Sequence, residues 1–231
     1  MLQLMINLHK KFSSRARSWR AHLFLKELKP KFIDRVLDLG SGNGSYFYQI
    51  IKPRKNVFIS DINRNLLLQG KKLFGYNTIV LNVEKTLPFQ DNYVDVLFCS
   101  SLIEHVTGDK SKVITFESNH SFSTYAYEHQ KKLAKEIRRI SKSYFVQTPH
   151  KYFPIESHTW MPVILIFLPR KIQIQIIIFL NKYWPKKTYP DWHLLTVSQM
   201  KDLFPDAEIH LERSFGFVKS IMAIKKRKKE I

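Results

Sequence analysis

The sequence predicts an α/β fold built around a mostly parallel sheet, and the stretch Val36–Gly44 is its strongest indication. The apolar run Val36–Leu39 suits a buried parallel strand. Three glycines then follow at alternate positions, so a ligand can approach the backbone closely because no Cβ stands in the way. A helix is predicted from Ser45 to Ile51, and its first amides would face this loop. Strand, glycine loop and helix in this order are typical of the first unit of a nucleotide-type binding domain.

Length and composition indicate one globular domain over residues 1–231. The chain of 231 residues is long enough to bury a substantial core, and its hydrophobic fraction of 44% separates it from disordered proteins. No window reaches the roughly 18 uninterrupted apolar residues of a membrane span, and residues 1–8 are too short and polar for a secretory signal. Cys99 is the only cysteine, which is compatible with the cytosol. We therefore expect a cytoplasmic protein.

The chain is strongly basic, with 38 Lys and Arg against 19 Asp and Glu and a formal net charge of +19. Such a field favours an anionic partner, which would be a lipid surface, a glycan or, less expected, a nucleic acid, although compositional drift explains it equally well. The charge concentrates in a predicted basic helix over residues 1–29 and in a basic tail over residues 225–231. The helix either packs across one end of the sheet or lies on the inner face of an anionic membrane.

The spacing of the glycines separates two classes of cofactor. A dinucleotide fingerprint reads G-x-G-x-x-G, whereas this chain reads D-x-G-x-G-x-G, with Asp38 two residues before Gly40. A carboxylate there repels a pyrophosphate and attracts an ammonium or sulfonium group, and S-adenosylmethionine (SAM) carries both cations and no phosphate. The pattern resembles the first motif of the class I SAM-dependent methyltransferases. An ordinary glycine-rich turn is the alternative.

The next two predicted strands extend this resemblance. Residues 56–60 form a strand that ends at Asp61, about 20 residues past the glycine loop, where the family holds the SAM ribose. The alternative for Asp61 is an N-cap of the helix predicted over residues 62–73. A third strand over residues 78–81 precedes Asn82, where many such enzymes have an aspartate that binds the adenine amino group. The side-chain carbonyl of Asn82 can still accept that hydrogen bond, and Val83 would stack on the adenine.

A fourth strand over residues 94–99 leads into Ser100-Ser101-Leu102-Ile103-Glu104-His105. This run resembles the fourth motif of the small-molecule branch of the family, which includes quinone-biosynthesis enzymes, and the Leu87-Pro88-Phe89 turn is common in the same branch. The resemblance implies that the backbone at Ser100 contacts the methionine part of SAM. Cys99 reads as a core residue because it lies within an apolar run. His105 either faces the substrate or packs under the next helix.

The second half of the chain is less regular. We expect a mobile loop over residues 107–124, a helix over 125–140, a strand over 144–148, a helix over 196–204 and a terminal strand pair over 207–211 and 215–224. Residues 150–192 form an insert that we interpret as a lid carrying acceptor specificity, and its stretch 172–180 fits a strand and a helix equally well. Within it, Glu156 and His158 are two apart, so an extended segment would point both to one face. There His158 could act as a general base oriented by Glu156, or simply pack the insert.

Together these observations imply a Rossmann-like, seven-stranded, mostly parallel sheet with helices on both faces and an antiparallel last strand. The implied activity is methyl transfer from SAM to a small-molecule, lipid or glycan acceptor; the alternative is a catalytically silent basic module that binds a membrane or nucleic acid. No metal-ligating cluster is evident from the spacing, so no metal is predicted. The predicted cofactor-binding residues are Asp38, Gly40, Ser41, Gly42, Gly44, Asp61, Ile62, Asn82, Val83 and Ser100, and the predicted catalytic residues are His158, Glu156 and His105.

Overall fold

The computed structural model describes residues 2–82 and 86–227, with side chains described from residue 13 onward. Within these ranges, seven strands form one sheet: β1 (Val36–Leu39), β2 (Val57–Asp61), β3 (Asn77–Val80), β4 (Val94–Ser100), β5 (Ser141–Pro149), β6 (Glu208–Ser214) and β7 (Phe217–Lys225). The helices are α1 (Leu2–Leu28), α2 (Ser45–Tyr48), α3 (Arg64–Phe74), α4 (Lys110–Val113), α5 (Asn119–Ile140), α6 (Arg170–Tyr183) and α7 (Val197–Leu203). No helix in the described part of the chain is long and apolar enough to cross a membrane.

The strand order is β3-β2-β1-β4-β5-β7-β6. Strands β1 to β5 pair in parallel, whereas β7 is antiparallel to both β5 and β6. The predicted mostly parallel sheet with an antiparallel last strand is therefore confirmed. The chain leaves β1 toward one edge through β2 and β3 and returns to the other side of β1 with β4, which makes the β1–β4 boundary the switch point where ligands bind in such sheets.

The two faces of the sheet bury different helices because successive side chains of a strand point to opposite sides. Leu37 and Leu97 face α5 and α7, together with buried Cys99, which is a core residue as expected. Val36 and Phe98 face α1, α2 and α3. Helices thus cover both faces, as the sequence predicts.

Helix α1 packs on a face of the sheet rather than across its end. Its buried residues Leu23, Phe24 and Leu28 join the second core cluster, and the ring of Phe24 lies 4.9 Å from that of Phe98. Among residues 13–28, whose side chains the structure describes, the large buried apolar side chains concentrate at this end of the helix. The exposed Arg15 and Arg17 remain in solvent, so the helix is anchored by its second half.

The region predicted as a loop over residues 107–124 contains helix α4 and the first turn of α5. Asp109 caps α4 and accepts from the amide of Ser111, and Ser118 caps α5 and accepts from the amides of His120 and Ser121. The polar residues that suggested a loop are thus helix N-caps. Helix α5 begins at Asn119, six residues before the predicted start.

The insert over residues 150–192 contains a 3-10 turn, Val163–Phe167, followed by α6. The helical alternative holds for residues 172–180, since Gln173 and Ile177 are buried four residues apart on one face. Ile177 packs with Ile166, Trp192 and Leu194 in a small cluster of its own. After the insert, the capping box formed by Thr196 and Gln199 begins α7, within the helix predicted over residues 196–204.

The described part of the basic tail is paired rather than free. Lys225 lies in β7 and contacts Asp206 at 3.1 Å, and Lys226 contacts Glu27 at 2.9 Å and Glu208 at 3.1 Å. Arg227 contacts Asp34 at 2.6 Å. The described part of the predicted basic tail is thus ion-paired at the surface, and Lys225 is the last residue of β7. Membrane contact of the tail stays a prediction, and residues 228–231 lie outside the described residues.

Candidate active site

The loops that follow β1 and β4 meet at the switch point. Gly40 has a φ of +75°, and a Cβ placed there would lie 2.7 Å from Leu102 Cδ1. A left-handed backbone and this close approach both require glycine. The first predicted motif and the fourth are therefore in direct contact, although about 60 residues separate them.

The glycine loop is held by hydrogen bonds from its own amides to the end of β2. The amides of Gly40 and Ser41 both donate to the carbonyl of Ser60, at 2.9 and 3.0 Å. The amide of Gly42 donates to Asp61 Oδ2 at 2.8 Å. The loop and Asp61 thus form one unit. The Gly42 position is open, because within the described part of the chain only Leu66 comes within 4 Å of a Cβ added there.

Asp61 is not the N-cap of the following helix, so that alternative is wrong. Asn63 caps α3, and its side chain accepts from the amides of Asn65 and Leu66. Asp61 Oδ1 instead accepts from the amide of Asn63 at 2.8 Å. A carboxylate has about four lone-pair sites, so Asp61 retains capacity for a further donor such as a ribose hydroxyl.

Helix α3 approaches the glycine loop unusually closely at Gly70. A Cβ at Gly70 would stand 2.5 Å from the backbone oxygen of Asn43 and 2.8 Å from Ile59 Cδ1. The backbone oxygen has no freedom to move aside, unlike the tip of a side chain. The absence of a side chain at Gly70 therefore allows the close packing of α3 against the loop. The sequence did not indicate this role, because Gly70 lies within a predicted helix.

Asp38 is a buried carboxylate beside this loop, with 5% of its surface exposed. Burial, and then the charge of Asp61, raise the pKa of Asp38 well above its ordinary value. Ionised Asp38 is therefore destabilised in the absence of a partner. A cationic ligand at this place would relieve both effects, which fits the ammonium or sulfonium group that the sequence suggested.

The remaining predicted cofactor residues line the same carboxyl edge. Ile62 and Asn82 are exposed after β2 and β3, and Val83 lies outside the described residues. Ser100 Oγ donates to Gln147 Oε1 at 2.7 Å, and the amide of Ser101, in a left-handed conformation with φ +55°, donates to the carbonyl of Gln147 at 2.9 Å. Gln147 of β5, which the sequence did not single out, thus fixes the turn after β4.

The three residues predicted as catalytic lie in one chain of polar contacts. Glu156 Oε1 lies 2.8 Å from His158 Nδ1, and His158 Nε2 lies 3.2 Å from His105 Nε2. His105 Nδ1 lies in turn 3.2 Å from Asp191 Oδ1. His105 therefore faces the insert and does not simply pack under the next helix, whereas the catalytic roles of these residues stay a prediction.

Electrostatics keep the two outer carboxylates charged. Burial raises the pKa of Glu156, but the contacts with His158 outweigh it, so the pKa is lowered. The same balance lowers the pKa of Asp191, with His105 and Lys110 outweighing burial. Burial lowers the pKa of His105, but the Asp191 hydrogen bond and the charge of Glu104 outweigh it and raise that pKa.

Glu156 and His158 come together in a turn, not on the extended segment that the spacing suggested. Glu156 Oε1 accepts from the amide of His158 at 2.8 Å, and Oε2 accepts from the amide of Thr159 at 2.7 Å. The buried carboxylate thus organises the turn and holds the imidazole at once. Trp192 stacks on His158 with ring centroids 5.0 Å apart and planes 10° apart, which fixes the ring from its other side.

The end of the insert is clamped onto the 3-10 turn Ile103–His105 that follows β4. The amide of His193 donates to the carbonyl of Glu104 at 2.7 Å, and Thr107 Oγ1 donates to the carbonyl of Asp191 at 2.7 Å. Buried Gln130 of α5 donates to the carbonyls of Ile103 and His193, both at 2.9 Å. These contacts hold the segment that contains Asp191 next to His105.

Sequence reasoning missed Glu104, Asp191 and Gln130 as members of the site. It also predicted no metal-ligating cluster, whereas Glu104, His105 and His158 each bring one ligating atom within 4.8 Å of the others. The adjacent Glu104 and His105 were visible as a pair. Their convergence with His158 was not, because 53 residues separate the two histidines.

Comparison with known proteins places this arrangement in a family. Residues 37–144 match the family described as "Methyltransferase domain". Residues 37–144 therefore carry a methyltransferase domain. The match to the methyltransferase family supports SAM as the cofactor.

Relatives and solved structures agree with this assignment. The chain is 38% identical over 89 residues to the ubiquinone/menaquinone biosynthesis C-methyltransferase UbiE of Vibrio campbellii, which covers 35% of this chain and 34% of that relative. A SAM-dependent methyltransferase from Archaeoglobus fulgidus superposes with a TM-score of 0.53 at 14% identity, covering 96% of this chain and 99% of that chain. The PH0226 protein from Pyrococcus horikoshii gives 0.51 at 13% identity, covering 93% and 91%. At these sequence identities, the solved structures show that the fold is shared. The chain spans about a third of the length of the curated relatives it matches.

Proposed function

We propose that the protein transfers a methyl group from SAM to a small-molecule acceptor. One observation carries the proposal: the glycine loop, Asp61 and the turn after β4 converge at the β1–β4 switch point, the place where this architecture binds its ligands. The names of the UbiE relatives support a small-molecule acceptor. The catalytically silent alternative finds no support in the comparisons.

The residues around the loop suit SAM rather than a dinucleotide. Two carboxylates, Asp38 and Asp61, lie close enough for the charge of one to raise the pKa of the other, and such a pair repels a pyrophosphate. In the proposal Asp38 attracts the cationic end of the cofactor, Asp61 accepts from the ribose hydroxyls, and Gly42 leaves room beside the backbone. Ile62, Asn82 and Val83 are proposed for the adenine side, and Ser100 for the methionine side.

SAM when bound supplies an electrophilic methyl group on a sulfonium, so the chain itself must position the acceptor and manage its proton. The imidazole of His158 donates from Nδ1 to Glu156 and leaves Nε2 as a proton acceptor. His105 presents the same arrangement toward Asp191. We place the acceptor on this side, with residues 150–192 as the lid that selects it; lipid and glycan acceptors remain candidates alongside small molecules.

Titration calorimetry with SAM tests the proposal directly. We expect wild-type protein to bind SAM and its demethylated product, and not NAD(H). Binding of NAD(H) with no heat from SAM would show that Asp38 and the glycine spacing have been interpreted wrongly.

We also propose peripheral contact with anionic membranes, through residues 1–29 and the basic tail and, in addition, through α6. Ile178, Phe179 and Tyr183 on α6 are 63%, 63% and 65% exposed, and Lys171 and Lys182 on the same helix are exposed beside them. Apolar side chains with neighbouring lysines suit a membrane interface, where each lysine gains about 1 kcal/mol near an anionic surface. The net charge of +19 also favours attraction to an anionic membrane.

Flotation with anionic and neutral vesicles tests whether the protein binds anionic membranes or whether its positive charge reflects composition alone. Wild-type protein should float with anionic vesicles at low salt, and the double variant Ile178→Ser and Phe179→Ser should float several-fold less. Ile33→Ser is the matched control, because Ile33 is 80% exposed on another part of the surface. Equal recovery with both vesicle types, or equal loss in the control, would refute it.

A further inference from the structure

We propose that Glu104, His105 and His158 form a binding site for a divalent transition-metal ion, with Asp191 and Glu156 as the residues that orient the two imidazoles. The inference does not depend on methyl transfer. It rests on three independent features of this cluster: the tautomers of the histidines, an unpartnered buried oxygen, and the distances among the ligating atoms.

The first feature is that both imidazoles are held by carboxylates through Nδ1. His158 Nδ1 lies 2.8 Å from Glu156 Oε1, and His105 Nδ1 lies 3.2 Å from Asp191 Oδ1. An ionised carboxylate only accepts hydrogen bonds, so each Nδ1 carries the hydrogen. The two Nε2 atoms then point lone pairs at each other across 3.2 Å. This contact is repulsive unless a cation or an added proton lies between them.

The second feature is the carboxylate of Glu104, which is fully buried at 0% exposure. Its Oε2 accepts from Thr148 Oγ1 at 3.0 Å, whereas its Oε1 has no hydrogen-bond partner among the residues that the structure describes. A buried carboxylate oxygen without a partner is strongly unfavourable. A metal ion beside it would supply the missing interaction.

The third feature is geometry. One ligating atom from each of the three residues lies within 4.8 Å of the others. With Zn–N bonds of about 2.0–2.1 Å, two nitrogens on a tetrahedral ion are roughly 3.3 Å apart, close to the 3.2 Å between the two Nε2 atoms. Binding would bring the Glu104 oxygen closer to this pair of nitrogens.

The surroundings of the cluster also match those of known metal sites. Metal-bound histidines usually donate their other ring nitrogen to a carboxylate, which fixes the ring and strengthens the ligand, and both histidines here do so. Two imidazoles and one carboxylate suit Zn²⁺ and its transition-metal neighbours better than Mg²⁺ or Ca²⁺. The His105 side chain is 37% exposed, which leaves the ion a route from solvent and an open coordination position.

The alternative is a shared proton, with one histidine as an imidazolium that donates to the other. Metal binding would occupy the Nε2 lone pair that the proposed function uses as a proton acceptor. His158 would therefore take up the acceptor's proton only in the metal-free protein, and the metal titration is made without SAM so that the two roles are tested separately.

Full-length protein freed of metal with a chelator should be titrated with Zn²⁺ by calorimetry, and with Co²⁺ while visible absorption is recorded. We expect one ion per chain, with affinity at least tenfold lower in His158→Asn and His105→Asn, and 10–100-fold lower in Asp191→Asn. His120→Asn is the matched control, because His120 is exposed at the start of α5, and it should bind like wild type. Circular dichroism must show that each variant is folded; Glu104→Gln is less suitable because Glu104 is buried.

Absence of stoichiometric binding by folded wild-type protein would overturn the inference, and so would equal affinity in wild type and in both histidine variants. In either case the shared proton accounts for the contact. Because SAM is absent from the titration, failure here leaves the proposed methyltransferase function untouched, and failure to bind SAM leaves the metal site untouched.

Discussion

The two halves of the proposed active site are built by different means. On the cofactor side, backbone amides fix the geometry of the site. The amides of the glycine loop donate to Ser60 and Asp61 at the end of the neighbouring strand. On the acceptor side, side chains from distant segments meet, and His105 contacts both His158 and Asp191. A backbone-built site leaves a pattern of glycines in the sequence, whereas a side-chain-built site leaves only scattered polar residues. Variants that disturb one half and spare the other test this division.

The largest expected effect is at Gly70, where α3 meets the glycine loop. Gly70→Ala places a Cβ 2.5 Å from the Asn43 backbone oxygen, and overpacking of this kind costs roughly 1–3 kcal/mol. Chemical denaturation should show this loss, with weaker SAM binding because the loop moves. Gly216→Ala is the control: it has a φ of +80° but nothing within 4 Å of the added Cβ. An equal loss of SAM affinity in the control would mean that backbone strain anywhere, not the loop contact, weakens binding.

Asp38 gives a pH-dependent test of the cofactor side. Because its folded pKa is raised, the wild-type protein loses stability as pH rises from the unfolded value near 4 toward the folded pKa. Asp38→Asn lacks this loss, so the stabilisation of the variant over wild type should grow between pH 4 and pH 8 when SAM is absent. The Asp38→Asn variant should also bind SAM more weakly than wild type does.

The sign of that effect can be checked against Asp109, which caps α4 at the surface. Hydrogen bonds from Ser111 lower the pKa of Asp109, so its contribution to stability is present above the unfolded value and is lost as pH falls. Asp109→Asn should therefore change stability with pH in the opposite direction to Asp38→Asn. Denaturation midpoints should therefore be measured from about pH 2.5 to pH 8. Relative to wild type, the midpoint of Asp109→Asn should fall as pH rises to about 4 and then stay level, whereas that of Asp38→Asn should rise above about pH 4. Midpoints that shift in the same direction for both variants would contradict the assignment of Asp38.

The smallest effect is expected at Asn63, which shows that the cap and the cofactor carboxylate are different residues. Asn63→Ala removes the acceptor for the amides of Asn65 and Leu66 and should cost about 1 kcal/mol of stability. The drop in SAM affinity should be much smaller than for Asp61→Ala. A variant that loses SAM binding without losing stability would assign Asn63 to the cofactor instead.

The difference between the halves also explains what the sequence could predict. The order of strands, the glycine loop and the position of Asp61 follow from local patterns, and the structure has them as predicted. The start of α5 was missed because Ser118 looks like a loop residue until its side chain is seen accepting from the amides that follow it. The contact between His105 and Asp191 spans 86 residues. It is supported by buried Gln130, which donates to the backbone carbonyls of Ile103 and His193. No sequence motif indicates such side-chain-to-backbone contacts.

The central claim is that cofactor binding and the histidine cluster are separable, and one calorimetric series with SAM tests it most directly. Wild type should bind SAM, Asp61→Ala should bind more weakly by roughly 1–3 kcal/mol, the scale of lost charged hydrogen bonds, and His158→Asn should bind like wild type. Once an acceptor is found, His158→Asn should lose turnover. The account is contradicted if His158→Asn loses as much SAM affinity as Asp61→Ala, or if Asp61→Ala binds SAM as tightly as wild type.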